Sequence, residues 1–468
     1  MVKMMNNIHK RTKLIKWFFT AAFLSICLYL LVFNFMQAKY VYSNSYNKRL
    51  RSDNQNIIRG NIIDRNDTVL VSSKVNKDGI SRIYEYGRHF SHVIGYHSQK
   101  VGSTGIEAFF DKELSSANMV DIIKNKIDNK QIKGNTIKLT LDKNLQVYAS
   151  EILANKKGSL VAINPKTGEI LAMVSKPDFN PSKIDANWDN LVKDENSPLL
   201  NRAIDGLYPP GSIFKIITTS AALNNNYTDY EIECSGSINI EGYEIKDSNN
   251  NRHGKITLDK AFAKSCNSYF VSLGLKLGNE CLYYEAVKFK FNKKISSNLI
   301  TKISKYNNAN NDRDLALQSI GQGSVLITPI HAASIAAIIA NDGVLIPPYL
   351  VSEITDMSGE IIKSFKSAKS EKIIDSDKAK SIKDMMIYTV KSGTGTKAKI
   401  SGINVAGKTG TAENPHGKPH SWFIGFAPAE DPQIAIAVII ENGGSGGNVA
   451  APIAGKVIKK AITIINQK

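Results

Sequence analysis

The sequence predicts an α+β fold, because strand-like runs stand early and late in the chain and helical stretches lie between them. An early hairpin over residues 158–175 and three late runs over residues 405–441 are expected to form one sheet. A long apolar segment and a short β-rich region precede this part. We therefore divide the 468 residues into 1–16, 17–38, 39–135 and 136–468.

The apolar segment predicts a membrane anchor. Residues 17–38 carry no charge, and 22 residues make a helix of about 33 Å, enough to cross a hydrocarbon core of about 30 Å. Basic residues precede the segment and no acidic residue occurs before Asp53, so residues 1–16 are expected to stay in the cytoplasm. A cleaved signal peptide is the alternative. It is disfavoured because its apolar run usually has about 7–15 residues and Met36-Gln37-Ala38 is a poor cleavage site.

Charge and cysteine content exclude several classes of protein. Sixty Lys and Arg against 42 Asp and Glu give a net charge of +18, which in an exported chain would face anionic envelope polymers and lipid headgroups. We interpret most of it as a solvated lysine-rich surface. No zinc-finger or RNP-like motif indicates a nucleic-acid partner. Four cysteines without a C-x-x-C spacing exclude a small disulfide-stapled fold and a zinc ribbon.

The remaining chain is predicted element by element. Residues 40–58 form a polar, basic stalk, and the region up to 135 alternates short β-like runs with turns, as in a small, mostly β domain. Asp142 is placed to cap a helix, and Asn164-Pro-Lys-Thr-Gly168 has the composition of a hairpin turn. The other predicted elements are a strand at 137–141, a long helical stretch from about Pro209, strands at 405–411, 422–427 and 434–441, and a final helix at 452–465.

Three short motifs carry the predicted chemistry: Ser212-Ile-Phe-Lys215, Ser265-Cys-Asn267 and Lys408-Thr-Gly410. They form the S-x-x-K, S-x-N and K-T-G set of penicillin-recognising serine enzymes. A second set in the same order tests their specificity: Ser45-Tyr-Asn-Lys48, Ser52-Asp-Asn54 and Lys166-Thr-Gly168.

Context separates the two sets. Ser45 and Ser52 lie in the polar stalk, which offers no core to bury a lysine, and Lys166 lies in a hairpin turn. Ser212, in contrast, follows Tyr208-Pro-Pro-Gly211 and opens an apolar helix, where the spacing puts the Lys215 amine on the same face as the hydroxyl. Lys408 lies on a strand among small residues, so a substrate backbone can approach closely.

These residue types suit acyl transfer to a serine. Ser212 needs a proton acceptor, and Lys215 can serve if burial and the neighbouring Lys408 lower its pKa. Ser265 would relay the proton to the leaving amine, and Asn267 would hold Lys215 and a substrate amide. Lys408 and Thr409 would bind a carboxylate, with Gly410 leaving room beside them. The backbone N–H groups of Ser212 and Thr411 would form the oxyanion hole.

In these motifs and in further segments the chain resembles the class B penicillin-binding proteins, which are monofunctional peptidoglycan D,D-transpeptidases. The resemblance covers nearly the whole chain. The segments that carry it are Arg59-Gly-Asn-Ile-Ile-Asp-Arg65, Gly105-Ile-Glu107, Val161-Ala-Ile-Asn-Pro-Lys-Thr-Gly168, Asn201-Arg-Ala203, Tyr208-Pro-Pro-Gly-Ser212, Gly321-Gln-Gly323, Gly393-Thr-Gly395, Ala406-Gly-Lys-Thr-Gly-Thr-Ala-Glu413 and His420-Ser-Trp-Phe-Ile-Gly-Phe-Ala-Pro428.

The resemblance implies an antiparallel sheet with helices on both faces, an all-helical subdomain, and a pedestal domain behind a transmembrane helix. It implies cross-linking of peptidoglycan stem peptides from D-Ala-D-Ala donors, acylation of Ser212 by β-lactams, no cofactor, and a membrane glycosyltransferase as partner. A glycosyltransferase domain, which needs roughly 150–200 residues, does not fit before residue 150, so a bifunctional class A enzyme is not expected.

Three alternatives remain open: a membrane-bound β-lactam sensor or lactamase, a D,D-carboxypeptidase, and a scaffold protein of the cell-wall synthesis complex. Cys266 is interpreted as a small packed residue, and a disulfide between Cys234 and Cys281 is left open. His89, His92 and His97 have a spacing that resembles metal ligands, but no carboxylate or cysteine accompanies them, so no metal is predicted.

Overall fold

The computed structural model describes residues 2–36, 57–76, 79–117, 131–296, 298–415 and 417–467. Helix α1 (Val2–Met36) contains the predicted apolar segment. Its stretch Lys13–Phe33 has a mean hydropathy of 2.0 and is not covered by the rest of the protein. In the described part of the chain it is the one helix long and apolar enough to cross a membrane.

The region that follows α1 contains the short strands that the sequence predicts, together with short helices that it does not. They are β1 (Ile57–Ile58), β2 (Ile62–Ile63), β3 (Val69–Asn76), β4 (Gly79–Tyr84), α2 (Ser91–Ile94), β5 (His97–Ser98), β6 (Gly102–Ser103), α3 (Gly105–Phe109), α4 (Asp111–Leu114), β7 (Ile132–Lys133) and β8 (Thr136–Leu139).

The longer second region contains the remaining elements. They are α5 (Lys143–Ile152), β9 (Gly158–Ile163), β10 (Ile170–Lys176), α6 (Ile184–Lys193), α7 (Arg202–Asp205), α8 (Lys215–Asn224), β11 (Glu231–Cys234), β12 (Ser237–Ile240), β13 (Tyr243–Lys246), β14 (Gly254–Thr257), α9 (Leu258–Lys264), α10 (Asn267–Leu277), α11 (Asn279–Lys288), α12 (Asp312–Ser319), α13 (Pro329–Ala340), β15 (Val344–Leu345), β16 (Val351–Thr355), β17 (Ile361–Ser364), β18 (Glu371–Lys372), α14 (Ser376–Ser392), β19 (Ala406–Ala412), β20 (His420–Ala427), β21 (Ile434–Ile440) and α15 (Ala450–Asn466).

A five-stranded antiparallel sheet forms the centre of the second region, in the order β10-β9-β21-β20-β19. The predicted union of an early hairpin with three late strands is therefore confirmed. The late strands differ from the prediction by one or two residues at their ends, because β19 extends to Ala412 and β20 begins at His420.

Helices cover both faces of this sheet. Successive residues of a strand point to opposite faces, and β9 follows this rule. Leu160 and Ala162 belong to the core that contains α5 and α15, whereas Val161 and Ile163 belong to the core that contains α13. Every residue of α13 is buried, and this explains why apolar residues occur on all sides of the helix.

A six-stranded sheet, in the order β17-β16-β8-β2-β3-β4, joins the two regions. Strand β8 pairs in parallel with β2 on one side and antiparallel with β16 on the other. The sheet that begins in the N-terminal region is thus completed by two strands from much later in the chain.

Local sequence explains where two of the helices begin. The Asp142 carboxylate accepts hydrogen bonds from the backbone N–H groups of Asn144 and Leu145, so the predicted cap of α5 is confirmed. The helical stretch expected from about Pro209 begins as a 3₁₀ turn, Gly211–Phe214, and continues as α8.

Candidate active site

Backbone contacts with Thr411 and Gly321 hold the turn that carries Ser212 in place. Gly211 has φ +54°, and a Cβ on it would lie 2.6 Å from the Thr411 carbonyl oxygen, so this position requires glycine. The Gly211 N–H donates to the Gly321 carbonyl at 2.8 Å. Ser212 is half-buried and lies where α8 begins, next to the C-terminal end of β19.

Lys215 lies in the first turn of α8 and is completely buried. Its Nζ donates to the Ser265 carbonyl at 2.7 Å and to Asn267 Oδ1 at 2.8 Å, and lies 3.3 Å from Ser265 Oγ. The Phe270 ring is 5.3 Å away. The first two predicted motifs therefore meet in space.

Ser265 and Asn267 lie in a tight link between α9 and α10. Ser265 ends α9 with φ +59°, a left-handed conformation that costs a non-glycine residue about 1–3 kcal/mol and is often found at functional sites. Asn267 begins α10, and its Nδ2 donates to the Lys246 carbonyl at 2.8 Å. This bond turns Oδ1 of the same amide toward Lys215.

Lys408 on β19 approaches Ser265 from the other side. Its side chain is completely buried, and Nζ donates to Ser265 Oγ at 2.9 Å and to the Thr409 carbonyl at 3.2 Å. The Ser265 hydroxyl therefore lies between two lysine amines. The third motif joins the other two, although 143 residues separate Lys408 from Ser265.

Both lysines have lowered pKa values. Burial lowers the pKa of Lys215 to about 8, although Cys266 and Asp247 oppose the shift. Burial also lowers the pKa of Lys408 well below its ordinary value, and the neighbouring Lys215 charge lowers it further. A neutral amine at this site is therefore accessible near physiological pH.

The rest of the K-T-G strand is closely packed, with Thr409 and Gly410 buried. Thr409 Oγ1 lies 2.5 Å from Thr394 Oγ1, in the Gly393-Thr-Gly395 segment. A Cβ on Gly410 would approach Ile213 and Trp422, so the strand can pack this closely only with glycine. Thr411 is exposed, and its hydroxyl accepts a hydrogen bond from the Gly446 N–H at 3.3 Å.

Of the competing motif set, the structure describes one member, Lys166-Thr-Gly168. Ser45-Tyr-Asn-Lys48 and Ser52-Asp-Asn54 lie outside the described residues. Lys166 is exposed in the turn between β9 and β10, where it pairs with Asp431.

Comparison with known proteins identifies the family. A family model described as "Penicillin binding protein transpeptidase domain" matches residues 158–459, well over half of the chain, and a second, "Penicillin binding protein A dimerisation domain", matches residues 59–137. The chain belongs to the class B penicillin-binding proteins.

Relatives of this penicillin-binding protein match along nearly its whole length. Peptidoglycan D,D-transpeptidase PbpA of Mycolicibacterium smegmatis is 32% identical over 454 residues, covering 89% of this chain and 91% of the relative. The ceftriaxone acyl-enzyme complex of penicillin-binding protein A from M. tuberculosis has a TM-score of 0.84 at 30% identity, covering 88% and 99%. The D,D-transpeptidase domain of a peptidoglycan glycosyltransferase from Eggerthella lenta has a TM-score of 0.81 at 34% identity, covering 88% and 100%.

The sequence did not predict which side chains support the turn that carries Ser212 in this penicillin-binding protein. Glu441 accepts hydrogen bonds from Arg202 Nε and the Tyr208 hydroxyl, each at 2.7 Å. Trp422 Nε1 donates to the Pro209 carbonyl at 3.0 Å. The resemblance marked the segments that contain Arg202, Tyr208 and Trp422, but no pattern paired Arg202 or Tyr208 with Glu441, which lies more than 230 residues away in the sequence.

The structure also places the cysteines and the three histidines that the sequence singled out. Cys234 Sγ lies 3.5 Å from Cys266 Sγ, while Cys281 contacts the Asn225 amide. Both cysteines are free, so the disulfide between Cys234 and Cys281 that the sequence left open does not form. His89, His92 and His97 face separate partners, which are Ser150, the Pro198 carbonyl and Ser103. Side chains that could hold a metal ion gather elsewhere, at Cys234, Asp247, His253 and Cys266.

Proposed function

We propose that this protein is a membrane-anchored D,D-transpeptidase that cross-links peptidoglycan stem peptides through an acyl-enzyme on Ser212. The observation that carries the proposal is the Ser265 hydroxyl, which lies within hydrogen-bonding range of both Lys215 Nζ and Lys408 Nζ. The relatives support the same reaction, since they are named peptidoglycan D,D-transpeptidases or were solved as β-lactam acyl-enzymes.

In the first half-reaction Ser212 Oγ attacks the carbonyl of the penultimate D-alanine. Neutral Lys215 keeps two N–H donors, which match the Ser265 carbonyl and Asn267 Oδ1, and its lone pair takes the Ser212 proton. The backbone N–H groups of Ser212 and Thr411 stabilise the oxyanion. Ser265 passes the proton to the nitrogen of the breaking amide bond, and the terminal D-alanine leaves.

The end of the donor peptide is held on the K-T-G strand. Lys408 and Thr409 bind its terminal carboxylate. Gly410 lets the strand pack closely against Ile213 and Trp422, which holds the strand in place beside the donor peptide. Asn267 contributes its side-chain amide to a substrate amide. In the second half-reaction an amine of a neighbouring stem peptide attacks the acyl-enzyme, gives up a proton through the same relay and frees Ser212.

The proposal includes the placement of the chain. Residues 1–16 form a cytoplasmic tail, 17–38 the membrane anchor, 39–135 the stalk and pedestal, and 136–468 the transpeptidase domain outside the membrane. The basic residues before the anchor support this orientation. Because the donor peptides are carried on glycan strands, the partner is a membrane glycosyltransferase.

The acyl-enzyme is tested by mass spectrometry of the full-length protein in detergent after exposure to penicillin. The mass of the drug is expected on the peptide that contains Ser212, and Ser212→Ala is expected to carry none. Ser220→Ala, which removes a buried hydroxyl from the same helix, is the matched control and should still be labelled. A drug adduct on any other residue would contradict the assignment of the nucleophile.

The lifetime of the adduct and the acceptor separate the remaining alternatives. A lactamase would release a fluorescent penicillin within seconds, whereas a transpeptidase keeps it for much longer. With a D-Ala-D-Ala donor and a labelled amine, a transpeptidase forms the labelled amide, and a carboxypeptidase forms only the shortened acid. Full complementation of a deletion strain by Ser212→Ala would favour the scaffold instead.

A further inference from the structure

Glu441 stands directly after β21 and binds two side chains from α7 and the segment that follows it. Its Oε1 accepts hydrogen bonds from Arg202 Nε and from the Tyr208 hydroxyl, each at 2.7 Å. Arg202 is buried, and its other two nitrogens donate to the carbonyls of Asn196 at 2.6 Å and Ser197 at 3.0 Å. Every nitrogen of the guanidinium group thus has an acceptor, so the group is held in one orientation against Glu441.

Tyr208 connects the Glu441 carboxylate to the turn that carries Ser212. The Tyr208 N–H donates to the Ile327 carbonyl at 3.0 Å, and the Ile327 N–H donates back at 2.8 Å. Burial raises the pKa of the Tyr208 hydroxyl, so it stays protonated and donates to Glu441. Two prolines and a glycine separate Tyr208 from Ser212, and the proline rings restrict the backbone between them. The place of Tyr208 therefore limits where the Ser212 N–H can lie.

Thr411 belongs to the same sheet as Glu441. Ile440 at the end of β21 lies opposite Ser421 on β20, and Ser421 lies opposite Thr411 on β19. Glu441 is therefore one residue beyond the row that contains Thr411. Its N–H donates to the Lys157 carbonyl at 2.7 Å, which holds its backbone beside the start of β9. Through these strand pairings the carboxylate and the Thr411 N–H keep a fixed separation.

Two side chains of β20 give further contacts between the sheet and the turn that carries Ser212. Trp422 Nε1 donates to the Pro209 carbonyl at 3.0 Å, and its ring meets the Tyr208 ring edge-on, with centroids 6.2 Å apart. His420, on the same face of β20, also meets the Tyr208 ring edge-on at 5.7 Å. The Tyr208 ring is therefore packed on β20 while its hydroxyl is bound to Glu441.

We propose that Glu441 is a positioning residue that sets the spacing between the two N–H groups of the oxyanion hole, those of Ser212 and Thr411. The inference rests on the proposed acyl transfer to Ser212. One N–H group belongs to the sheet, and the other belongs to a turn that the hydrogen bond between Tyr208 and Glu441 ties to the sheet. Oxyanion donors act at about 2.7–3.1 Å, so a small shift of the turn weakens one of the two hydrogen bonds.

The partners of Glu441 separate this role from proton transfer. Its carboxylate lies within 4.0 Å of Arg202, Tyr208 and Lys157, and none of these three is part of the proposed proton relay. Loss of the bond to Tyr208 should therefore slow the step that creates the oxyanion, while binding of the drug before that step should change little.

Acylation kinetics of the full-length protein in detergent test the proposal. A fluorescent penicillin, followed by stopped flow over a range of concentrations, separates the dissociation constant of the non-covalent complex from the acylation rate constant. Tyr208→Phe, which removes only one oxygen atom, is expected to lower the rate constant about tenfold, because full loss of an oxyanion donor costs about 10²–10³-fold. The dissociation constant should change by less than about twofold.

Three further variants separate positioning from a general loss of packing. Tyr84→Phe removes the hydroxyl of another buried tyrosine, which accepts a hydrogen bond from the His97 N–H at 2.8 Å, and should be acylated at the unchanged rate. Glu441→Ala should be at least as slow as Tyr208→Phe. Glu441→Gln should stay within about threefold of the unchanged protein, because its amide oxygen can still accept both hydrogen bonds, although more weakly.

A boronic acid gives a readout of the oxyanion itself. When Ser212 Oγ adds to the boron and its proton passes to Lys215, the boron becomes a tetrahedral anion that resembles the intermediate of acyl transfer. The inhibition constant of a small acylaminomethyl boronic acid should rise about tenfold in Tyr208→Phe, in parallel with the slower acylation, and should not change in Tyr84→Phe. A purely structural role of Tyr208 would lower the melting temperature without this rise and would contradict the proposal.

The proposal is overturned if folded Tyr208→Phe and Glu441→Ala keep the acylation rate constant and the boronic acid affinity of the unchanged protein. It is also overturned if Tyr84→Phe loses as much of both as Tyr208→Phe, or if Tyr208→Phe changes only the dissociation constant. If the unchanged protein is not acylated at Ser212, the transpeptidase proposal itself fails, so the two failures are distinguishable.

Discussion

At the scale of single residues, the central feature of the candidate site is the Ser265 hydroxyl, which lies close to the amines of both Lys215 and Lys408. Two ammonium ions that share Ser265 Oγ would repel each other in a buried site, so at least one of them loses its proton easily. Lys215 has two strong carbonyl acceptors, which remain satisfied when it is neutral. In the proposed mechanism, this combination keeps the Lys215 amine in place while allowing it to act as a base.

The first residue-scale prediction concerns pH. Because the neutral form of Lys215 accepts the proton and its pKa is lowered to about 8, the acylation rate should rise about tenfold between about pH 7 and about pH 9 and then level off. Second-order rates with a fluorescent penicillin measure this profile. Lys215→Arg, which stays charged, should be slow at every pH. A flat profile in the unchanged protein would contradict the role of Lys215.

The second residue-scale prediction compares the two K-T-G motifs. Lys408→Ala removes the amine that donates to Ser265 and is expected to lower the penicillin acylation rate about 10²–10³-fold. Lys166→Ala removes only an exposed ion pair with Asp431 and should leave the rate unchanged. Equal effects of the two substitutions on the acylation rate would contradict the proposed role of Lys408.

The sequence predicted the residues that meet at the candidate site better than the residues that support them. Ser212, Lys215, Ser265, Asn267 and Lys408 stand in short motifs whose context could be judged from neighbouring residues. Asp247 and His253 lie in loops between short strands, and nothing in their local sequence connects them with Cys266. Only folding creates that proximity.

At the scale of elements, the turn that carries Ser212 packs against a second turn, which contains Gly321 and Gly323. Gly321 has φ +74°, and a Cβ on it would lie 2.2 Å from the Gly211 carbonyl oxygen. Gly323 in the same segment has φ +69°, but the nearest atom to its Cβ would be 3.6 Å away. The two glycines share a backbone conformation and differ in the space around them.

This difference gives a matched test. Gly323→Ala carries only the left-handed backbone cost of about 1–2 kcal/mol and should acylate normally. Gly321→Ala must also displace the Gly211 carbonyl, so we expect a larger loss of thermal stability together with slow acylation of Ser212. Thermal unfolding and fluorescent-penicillin rates measure both. If the two variants have the same thermal stability and the same acylation rate, the close contact between the two turns is not important for acylation.

The strands that could be predicted from the sequence are those with a clear hydrophobic pattern. Strands β9, β10 and β21 are buried along their whole length, and β20 is buried except at His420. Their apolar runs were found within one or two residues. Strands β11–β14 were missed. They have four residues each and are largely exposed, so they lack both the length and the alternation that identify a strand.

At the scale of the whole molecule, a buried charge cluster stabilises the N-terminal region. Glu107 is completely buried and pairs with Arg59 at 2.5 Å and with Arg82 at 2.7 Å. Burial opposes its ionisation, but the two guanidinium groups outweigh burial and hold the pKa of Glu107 below its ordinary value. Removing the carboxylate would leave both arginines buried without it.

Glu107→Ala is therefore expected to lower the free energy of unfolding by about 3–5 kcal/mol. Glu85→Ala, at an exposed position of the same region, should cost less than about 1 kcal/mol. Denaturant titration of the full-length protein compares them. Because Glu107 does not contact the three motifs, acylation under native conditions should be the same in both variants. Similar stability losses would contradict the importance of the buried cluster.

The overall architecture was only partly predictable. The order of an apolar helix, a β-rich region and an α+β region follows from changes of composition along the chain. The completion of the N-terminal sheet by β16 and β17 does not, because strand pairing over such a distance leaves no periodic signal in the sequence.

That shared sheet also constrains how the newly made chain can fold. The Ser352 hydroxyl reaches the Lys138 carbonyl across a gap of 214 residues. At a synthesis rate of about 5–20 residues per second, β8 waits roughly 10–40 s for its neighbour β16. During that interval β8 presents an unsatisfied edge on which another chain could pair. The nascent protein therefore needs this edge shielded until its later half arrives.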